Sequence, residues 1–136
     1  MPTRRVLILD SNTDFADILR DGLELAGKFV VSVVPTGHMA VQAVRDNEVD
    51  LAIVDVAVSD ISPGGLLEQL RELDPYIRIV FVPPFGQELE DTLAALDIQG
   101  VLHKPFFVGR LAEQIAAFLK KKVLTAPPTR VEQVCA

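Results

Sequence analysis

The stretch Val49-Asp50-Leu51-Ala52-Ile53-Val54-Asp55 is an apolar run that ends on a carboxylate. Its apolar centre predicts a strand that is buried on both faces. Asp55 then falls where this strand would leave the sheet. Because ligands and chemistry collect at the carboxyl ends of the strands in an open parallel sheet, Asp55 is the first candidate for a functional side chain.

Strands and helices alternate on either side of this stretch. Further apolar runs predict strands at residues 6–9, 29–34, 77–82 and 101–102. The helical patterns place these apolar residues on predicted buried faces: Phe15, Ile18, Leu19, Leu23 and Ala26; Met39, Ala40, Ala43 and Val44; Leu66, Leu67, Leu70 and Leu73; Leu89, Leu93 and Leu96; Leu111, Ile115 and Leu119. Five strands alternating with five helices predict an α/β fold, a doubly wound parallel sheet with helices on both faces.

The composition excludes several classes of protein. Hydrophobic residues make up 49% and charged residues 24% of the 136 residues, which is typical of a globular domain. The net charge of -6 argues against a nucleic-acid binder, since phosphate contacts need clustered Lys and Arg. No apolar run approaches the length of a membrane span, and the first residues lead straight into a strand rather than a signal peptide. A cytoplasmic protein is therefore expected.

Residues 1–122 are predicted to form one domain, and residues 123–136 a linker or C-terminal tail with the pair Pro127-Pro128. The single cysteine, Cys135, rules out an internal disulfide and any multi-thiolate metal site. Its place in this tail predicts an exposed, incidental thiol.

Three charged residues follow predicted strands: Asp10 after the first, Asp55 after the third and Lys104 after the fifth. Two carboxylates that converge at one edge of a sheet repel unless a cation or a proton lies between them. Carboxylate oxygens suit Mg²⁺, which also binds phosphate. A carboxylate can also accept a phosphoryl group, in a transfer whose charge is neutralised by a metal and a positioned lysine. The three residues together therefore indicate phosphoryl chemistry.

Each residue also has a purely structural interpretation. An aspartate after a buried strand is often a turn or helix-capping residue, and for Asp10 capping explains the residue as well as metal binding does. Capping explains Asp55 less well, because the loop that follows it contains residues better suited to cap the next helix. Lys104 taken alone would be a solvated surface lysine. The joint placement of the three favours the functional interpretation.

The sequence resembles the receiver domain of bacterial two-component response regulators over about the first 120 residues. The resemblance is carried by Val6-Leu7-Ile8-Leu9-Asp10, by the stretch 49–55 and by Lys104-Pro105-Phe106. It implies a signalling module rather than an enzyme, with the flavodoxin-like strand order 2-1-3-4-5 and a cis bond between Lys104 and Pro105. The implied partner is a histidine kinase or phosphotransfer protein.

The resemblance also assigns roles at the ends of the strands. Asp55 would be the phospho-acceptor, and Lys104 would contact the phosphoryl group. Asp10 and Asp55, together with the backbone carbonyl of Ala57, would bind Mg²⁺.

Three positions depart from the pattern of this family. Ser11 replaces the second of two adjacent acidic residues after the first strand, which should lower the affinity for Mg²⁺ because a hydroxyl is the poorer ligand. Pro83 stands where the family carries a Thr or Ser that responds to the phosphoryl group, and Val101 stands at the aromatic switch position. The departures predict an atypical receiver with degenerate switch residues.

Two functions remain open from the sequence, and a third is disfavoured. The first is a phosphorylatable receiver. The second is a pseudo-receiver that docks partners, joins an output domain or forms a homodimer without phosphate chemistry. An FMN-binding protein is disfavoured, because Asp10 and Asp14 occupy the loop where a phosphate would need Gly, Ser and Thr.

The surface expected to serve an interface is formed by the fourth helix, the fifth strand and the fifth helix. It would include Leu102, His103 and Phe107. Phe107 is expected to pack in the core or against a helix, and His103 to lie on the surface without binding a ligand.

Overall fold

The computed structural model describes residues 3–124, which form a five-stranded parallel sheet of order β2-β1-β3-β4-β5. The strands are β1 (Arg4–Leu9), β2 (Phe29–Val34), β3 (Leu51–Asp55), β4 (Arg78–Val82) and β5 (Gly100–Val101). The helices are α1 (Thr13–Leu25), α2 (Gly37–Asp46), α3 (Pro63–Leu73), α4 (Asp91–Ala94) and α5 (Val108–Leu119). The predicted fold class and strand order are therefore confirmed.

The central strands are buried on both faces, as the unbroken apolar runs predict. All five residues of β3 and the last four of both β1 and β4 are buried. Their side chains divide between two cores on opposite faces of the sheet. One core packs against α1 and α5, and the other against α2 and α3. This arrangement is the doubly wound architecture.

Several residues predicted on buried helix faces are exposed instead. Ile18 is 60% exposed and Met39 is 49% exposed. Leu73 and Ala26 lie at or beyond the ends of their helices and are exposed as well. The spacing of these residues fits the apolar face of a helix, but only part of that face is buried. In α1, for example, Ala16 lies in the core in place of Ile18.

The fourth helix is much shorter than the predicted pattern of Leu89, Leu93 and Leu96. It contains only four residues, and its N-cap, Glu90, makes no side-chain capping hydrogen bond. The three leucines still pack against the core on the α2 and α3 side. Their spacing therefore identified a packed segment correctly, although most of that segment is not helical.

No helix in residues 3–124 is long and apolar enough to cross a membrane. The predicted linker starts at residue 123, and everything in it after residue 124, including Cys135, lies outside the described residues.

Gly100, the first residue of β5, gives a test of the packing between the sheet and α5. A Cβ added at Gly100 would overlap the ring of Phe118, which packs against the core. Because the ring must shift, we expect Gly100→Ala to lower the free energy of unfolding by about 1–3 kcal/mol in urea denaturation.

Gly109→Ala is the matched control, since an added Cβ at Gly109 in α5 meets no neighbouring atom. Its stability should equal or slightly exceed that of the wild type. Equal stabilities for Gly100→Ala and the control would contradict the described packing of β5 on α5.

Candidate functional site

Three strand ends bring together the residues singled out in the sequence. Asp55 is the last residue of β3, and Asp10 directly follows β1. Because Leu9 pairs with Val54, the register of the two neighbouring strands places Asp10 beside Asp55. Lys104 lies three residues after β5, and its peptide bond to the following proline is cis, as expected.

The ammonium group of Lys104 lies between the two carboxylates. Its Nζ is 3.5 Å from Oδ2 of Asp10 and 3.5 Å from Oδ2 of Asp55. The two carboxylate side chains are only 6% and 8% exposed, and that of Lys104 is 19% exposed. A largely buried cation is thus shared by two buried anions, which is how a protein compensates charges withdrawn from water.

Backbone amides hold the other oxygen of each carboxylate. Oδ1 of Asp10 accepts a hydrogen bond from the Asn12 N–H at 2.9 Å, and Oδ1 of Asp55 accepts one from the Ala57 N–H at 2.9 Å. Each carboxylate therefore has one oxygen fixed by its own turn and one directed to Lys104. The N-cap of α1 is Asn12, which accepts from the Phe15 N–H. Asp10 makes a turn but does not cap the helix.

The pKa of Asp10 is raised above its ordinary value. The main cause is burial, which disfavours the charged form, and the neighbouring Asp55 adds to the effect. The Asn12 N–H and the Lys104 ammonium oppose the rise. Burial of the Asp10 carboxylate is therefore only partly compensated by these two groups.

The donor set is a sparse one for a metal ion. No group of three or more His, Cys, Asp or Glu side chains within residues 3–124 could hold a metal. Ser11 is exposed beside the pair Asp10 and Asp55. Mg²⁺ is bound in proteins through one or two carboxylates together with water and phosphate oxygens. The two adjacent buried carboxylates, Asp10 and Asp55, fit that requirement.

The two residues predicted to occupy degenerate switch positions lie at the ends of β4 and β5. Pro83 is buried directly after β4, the strand that pairs with β3, and it offers neither a hydroxyl nor an N–H. Val101 is half-buried in β5, opposite Phe81.

The three residues expected at an interface differ in how exposed they are. His103 is exposed, as predicted, with Nε2 3.2 Å from a carboxylate oxygen of Glu88. Leu102 is 2% exposed and belongs to the core, so it is not available to an interface. Phe107 is 73% exposed, so its predicted packing in the core is wrong. The preceding Phe106 takes the packed position instead.

Sequence reasoning missed one residue at the site and one residue that caps a helix. The ring centroid of Phe15 lies 5.4 Å from Nζ of Lys104, although sequence spacing assigned this residue only to a buried helix face. Asp60 accepts hydrogen bonds at 2.9 Å from the backbone N–H groups of both Gly37 and His38, and so caps α2 from the loop after β3. No local pattern relates residues so distant in the chain.

Comparison with known proteins agrees with this geometry. Residues 6–116 match the family described as the response regulator receiver domain. The chain belongs to that family. Receivers are signalling modules of two-component systems, and they generally bind Mg²⁺ at the phosphorylation site.

Individual relatives show the same relationship. A response regulator receiver protein of Anaeromyxobacter is 31% identical over 117 residues, which cover 81% of this chain and 46% of that protein. The chemotaxis protein CheY of Bacillus subtilis is 26% identical, with 82% of this chain and 93% of that protein covered. The transcriptional regulatory protein PrrA of Mycobacterium tuberculosis is 26% identical, with coverage of 90% and 52%. The chain spans about half the length of most of the curated relatives it matches.

Solved structures share the fold. A CheY-like receiver domain from Methanospirillum hungatei matches with a TM-score of 0.75 and 25% identity, covering 86% of this chain and 94% of that one. A response regulator from Chloroflexus aurantiacus matches with a TM-score of 0.77 and 23% identity, covering 88% and 99%.

The cap supplied by Asp60 predicts a dependence of stability on pH. The N–H groups of His38 and Gly37 lower the pKa of Asp60 to about 2. A lowered pKa gives stability that is present above the ordinary carboxyl value and lost as the pH falls toward 2. We expect Asp60→Asn to be less stable than the wild type at neutral pH, with the difference shrinking below about pH 4.

Urea denaturation at a series of pH values measures this difference. Glu113→Gln removes an exposed carboxylate from α5 and controls for the change in net charge. A stability difference for Asp60→Asn that stays constant down to pH 2 would show that the cap does not depend on the charge of Asp60.

Proposed function

We propose that this receiver accepts a phosphoryl group on Asp55. The observation that carries the proposal is the shared ammonium, with Nζ of Lys104 at 3.5 Å from both Asp10 and Asp55. Oδ1 of Asp55 is engaged by the Ala57 N–H, so Oδ2 is the oxygen left to form the new bond to phosphorus. The bond between phosphorus and the donor atom breaks in the same transfer.

The neighbouring residues have distinct proposed roles. Lys104 contacts the oxygens of the transferred group and neutralises their charge. Asp10 and Asp55, with the backbone carbonyl of Ala57, would hold Mg²⁺. When bound, the metal supplies further charge neutralisation at the phosphoryl oxygens. Asp10 also keeps the ammonium close to Asp55, because one of its oxygens contacts Nζ at the same distance.

We further propose that the receiver is atypical. Ser11 leaves the metal with fewer anionic oxygens, so its affinity for Mg²⁺ should be weakened. Pro83 cannot form a hydrogen bond from its side chain to a phosphoryl group, and Val101 has no ring to reorient. A ligand shifts a conformational equilibrium only through contacts that differ between the two states. The side-chain hydrogen bond that family members usually make to the phosphoryl group from this position is therefore missing at Pro83.

The partners are proposed from the family. Histidine kinases and output domains act with homologous regulators, and several relatives are named as transcriptional regulatory proteins of about twice this length. We place the receiver at residues 1–122 and a linker at residues 123–136, with a histidine kinase or phosphotransfer protein as phosphodonor. Direct contact of this domain with nucleic acid is not expected, given its net charge of -6.

A pseudo-receiver is the second candidate. It is favoured by the buried position of Pro83 at the end of β4. Such a module would dock an output domain or a second copy through the face of α4, β5 and α5 without phosphate chemistry. Exposed His103 and Phe107 would belong to that face, whereas buried Leu102 would not.

Phosphorylation distinguishes the two candidates. Incubation with Mg²⁺ and a small phosphodonor should add one phosphoryl group, detected by intact mass, and Asp55→Asn should abolish it. Lys104→Ala should slow the reaction by roughly 10²-fold or more, because charge-stabilising donors contribute on that scale. Glu72→Gln removes an exposed carboxylate from α3 and serves as the control. No modification of the wild type at millimolar Mg²⁺ would favour the pseudo-receiver.

The metal proposal predicts a gain of affinity. Ser11→Asp restores a second carboxylate beside Asp10, so Mg²⁺ should bind about tenfold or more tightly in isothermal titration calorimetry. Ser11→Asn is the matched control, because it adds the same bulk without the charge. Equal affinities for wild type and Ser11→Asp would contradict the weakened-pocket proposal.

A further inference from the structure

The contacts of the Lys104 ammonium with the carboxylates are long. Its two contacts of 3.5 Å exceed the 2.7–2.9 Å that is typical of charge-assisted hydrogen bonds. Contacts of this length attract the cation but define its position only loosely. Since the side chain is only 19% exposed, water is not its main surrounding either.

The ring face of Phe15 supplies a further contact to the Lys104 ammonium. The centroid of Phe15 lies 5.4 Å from Nζ of Lys104, within the distance at which an ammonium is attracted to an aromatic quadrupole. This attraction grows as the cation is withdrawn from water, so a largely buried ammonium gains more from it than an exposed one.

The ring itself is held at a defined place. Phe15 lies in the first turn of α1, where its N–H donates to the capping Asn12 side chain at 3.2 Å. Its ring packs against that of Phe106, with centroids 5.8 Å apart and planes tilted by 35°. Phe106 follows Lys104 by two residues, so this aromatic pair joins the turn after β1 to the segment that carries the lysine.

We propose that Phe15 is a positioning residue for Lys104. The ring face keeps the ammonium over the gap between Asp10 and Asp55, where it meets a phosphoryl group arriving on Asp55. This inference rests on the proposed phosphorylation of Asp55 for its role in the reaction. The contact between ring and ammonium does not depend on that reaction and can be tested without it.

Ring fluorination isolates the electrostatic part of the contact. Replacing Phe15 by a phenylalanine with three ring fluorines nearly preserves its shape but withdraws electron density from the ring face. Phe15→Leu removes the ring while keeping an apolar side chain, and Phe15→Tyr keeps an electron-rich ring. A role limited to packing against Phe106 would be largely insensitive to fluorination.

The first readout is the reactivity of the lysine in the unphosphorylated protein. Trace acetylation, quantified by peptide mass, compares Lys104 with the exposed Lys28 and Lys120 in the same sample. A lysine side chain that loses the contact with the ring face is held less firmly and reaches the reagent more readily. We expect fluorination and Phe15→Leu to raise Lys104 labelling about two- to fivefold, and Phe15→Tyr to leave it near the wild-type level.

The second readout is the rate of Asp55 phosphorylation as the concentration of a small phosphodonor is increased. A positioning role predicts a limiting rate about two- to fivefold lower in the fluorinated variant, with the half-saturating concentration unchanged. Phe15→Tyr should restore the limiting rate.

The outcomes separate this inference from the proposed function. Unchanged Lys104 labelling after fluorination overturns the inference. Increased labelling with an unchanged limiting rate also overturns it, because the ring would then contact the amine without positioning it for the reaction. If the wild type accepts no phosphoryl group, the proposed function fails, and labelling alone decides whether Phe15 holds the ammonium.

Discussion

The ammonium group of Lys104 stabilises two buried carboxylates at the carboxyl edge of the sheet. Asp10 and Asp55 are buried side by side, and each would repel the other without the ammonium of Lys104 between them. The effective penalty for burying an uncompensated ion is several kcal/mol, so the three charges form a unit from which none can be removed cheaply. The raised pKa of Asp10 shows that compensation is incomplete, because burial still outweighs the lysine and the Asn12 N–H. A further positive charge beside these carboxylates would lower the repulsion between them.

The strand order explains why this unit needs support from outside the sheet. Asp10 and Asp55 leave adjacent strands, and their register alone places them together. Lys104 comes from the edge strand β5, with β4 lying between it and the carboxylates. A long, flexible side chain that crosses a neighbouring strand end loses considerable rotamer entropy when it is fixed. The ring of Phe15 packs against Phe106 and lies 5.4 Å from the ammonium, so it can restrict the ammonium beside the carboxylates.

The sequence predicted features of this protein that depend on short-range periodicity. Unbroken apolar runs located the buried strands, and residues at their ends located the three charges of the site. The width of the buried stripe depends on where each helix lies on the sheet, so the exposure of Ile18 was not predictable from spacing. The same limit applies to the adjacent phenylalanines, since tertiary packing decides that Phe106 is partly buried against the core and Phe107 is exposed. Asp60 acts on the distant helix α2, and no local pattern indicates such a contact.

The position of β4 between Asp55 and Lys104 also affects how a signal could pass from Asp55 to the rest of the domain. The end of that strand is Pro83, whose buried side chain can neither donate nor accept a hydrogen bond. In the proposed phosphorylated state, the phosphoryl group on Asp55 would therefore gain no side-chain hydrogen bond from Pro83. Lys104 is the group whose contacts with Asp55 must change, because its partner oxygen would then carry phosphorus. Lys104 contacts the ring of Phe15, and this ring packs against Phe106, so a change in the position of the ammonium would be felt at the start of α1 and in the segment before α5.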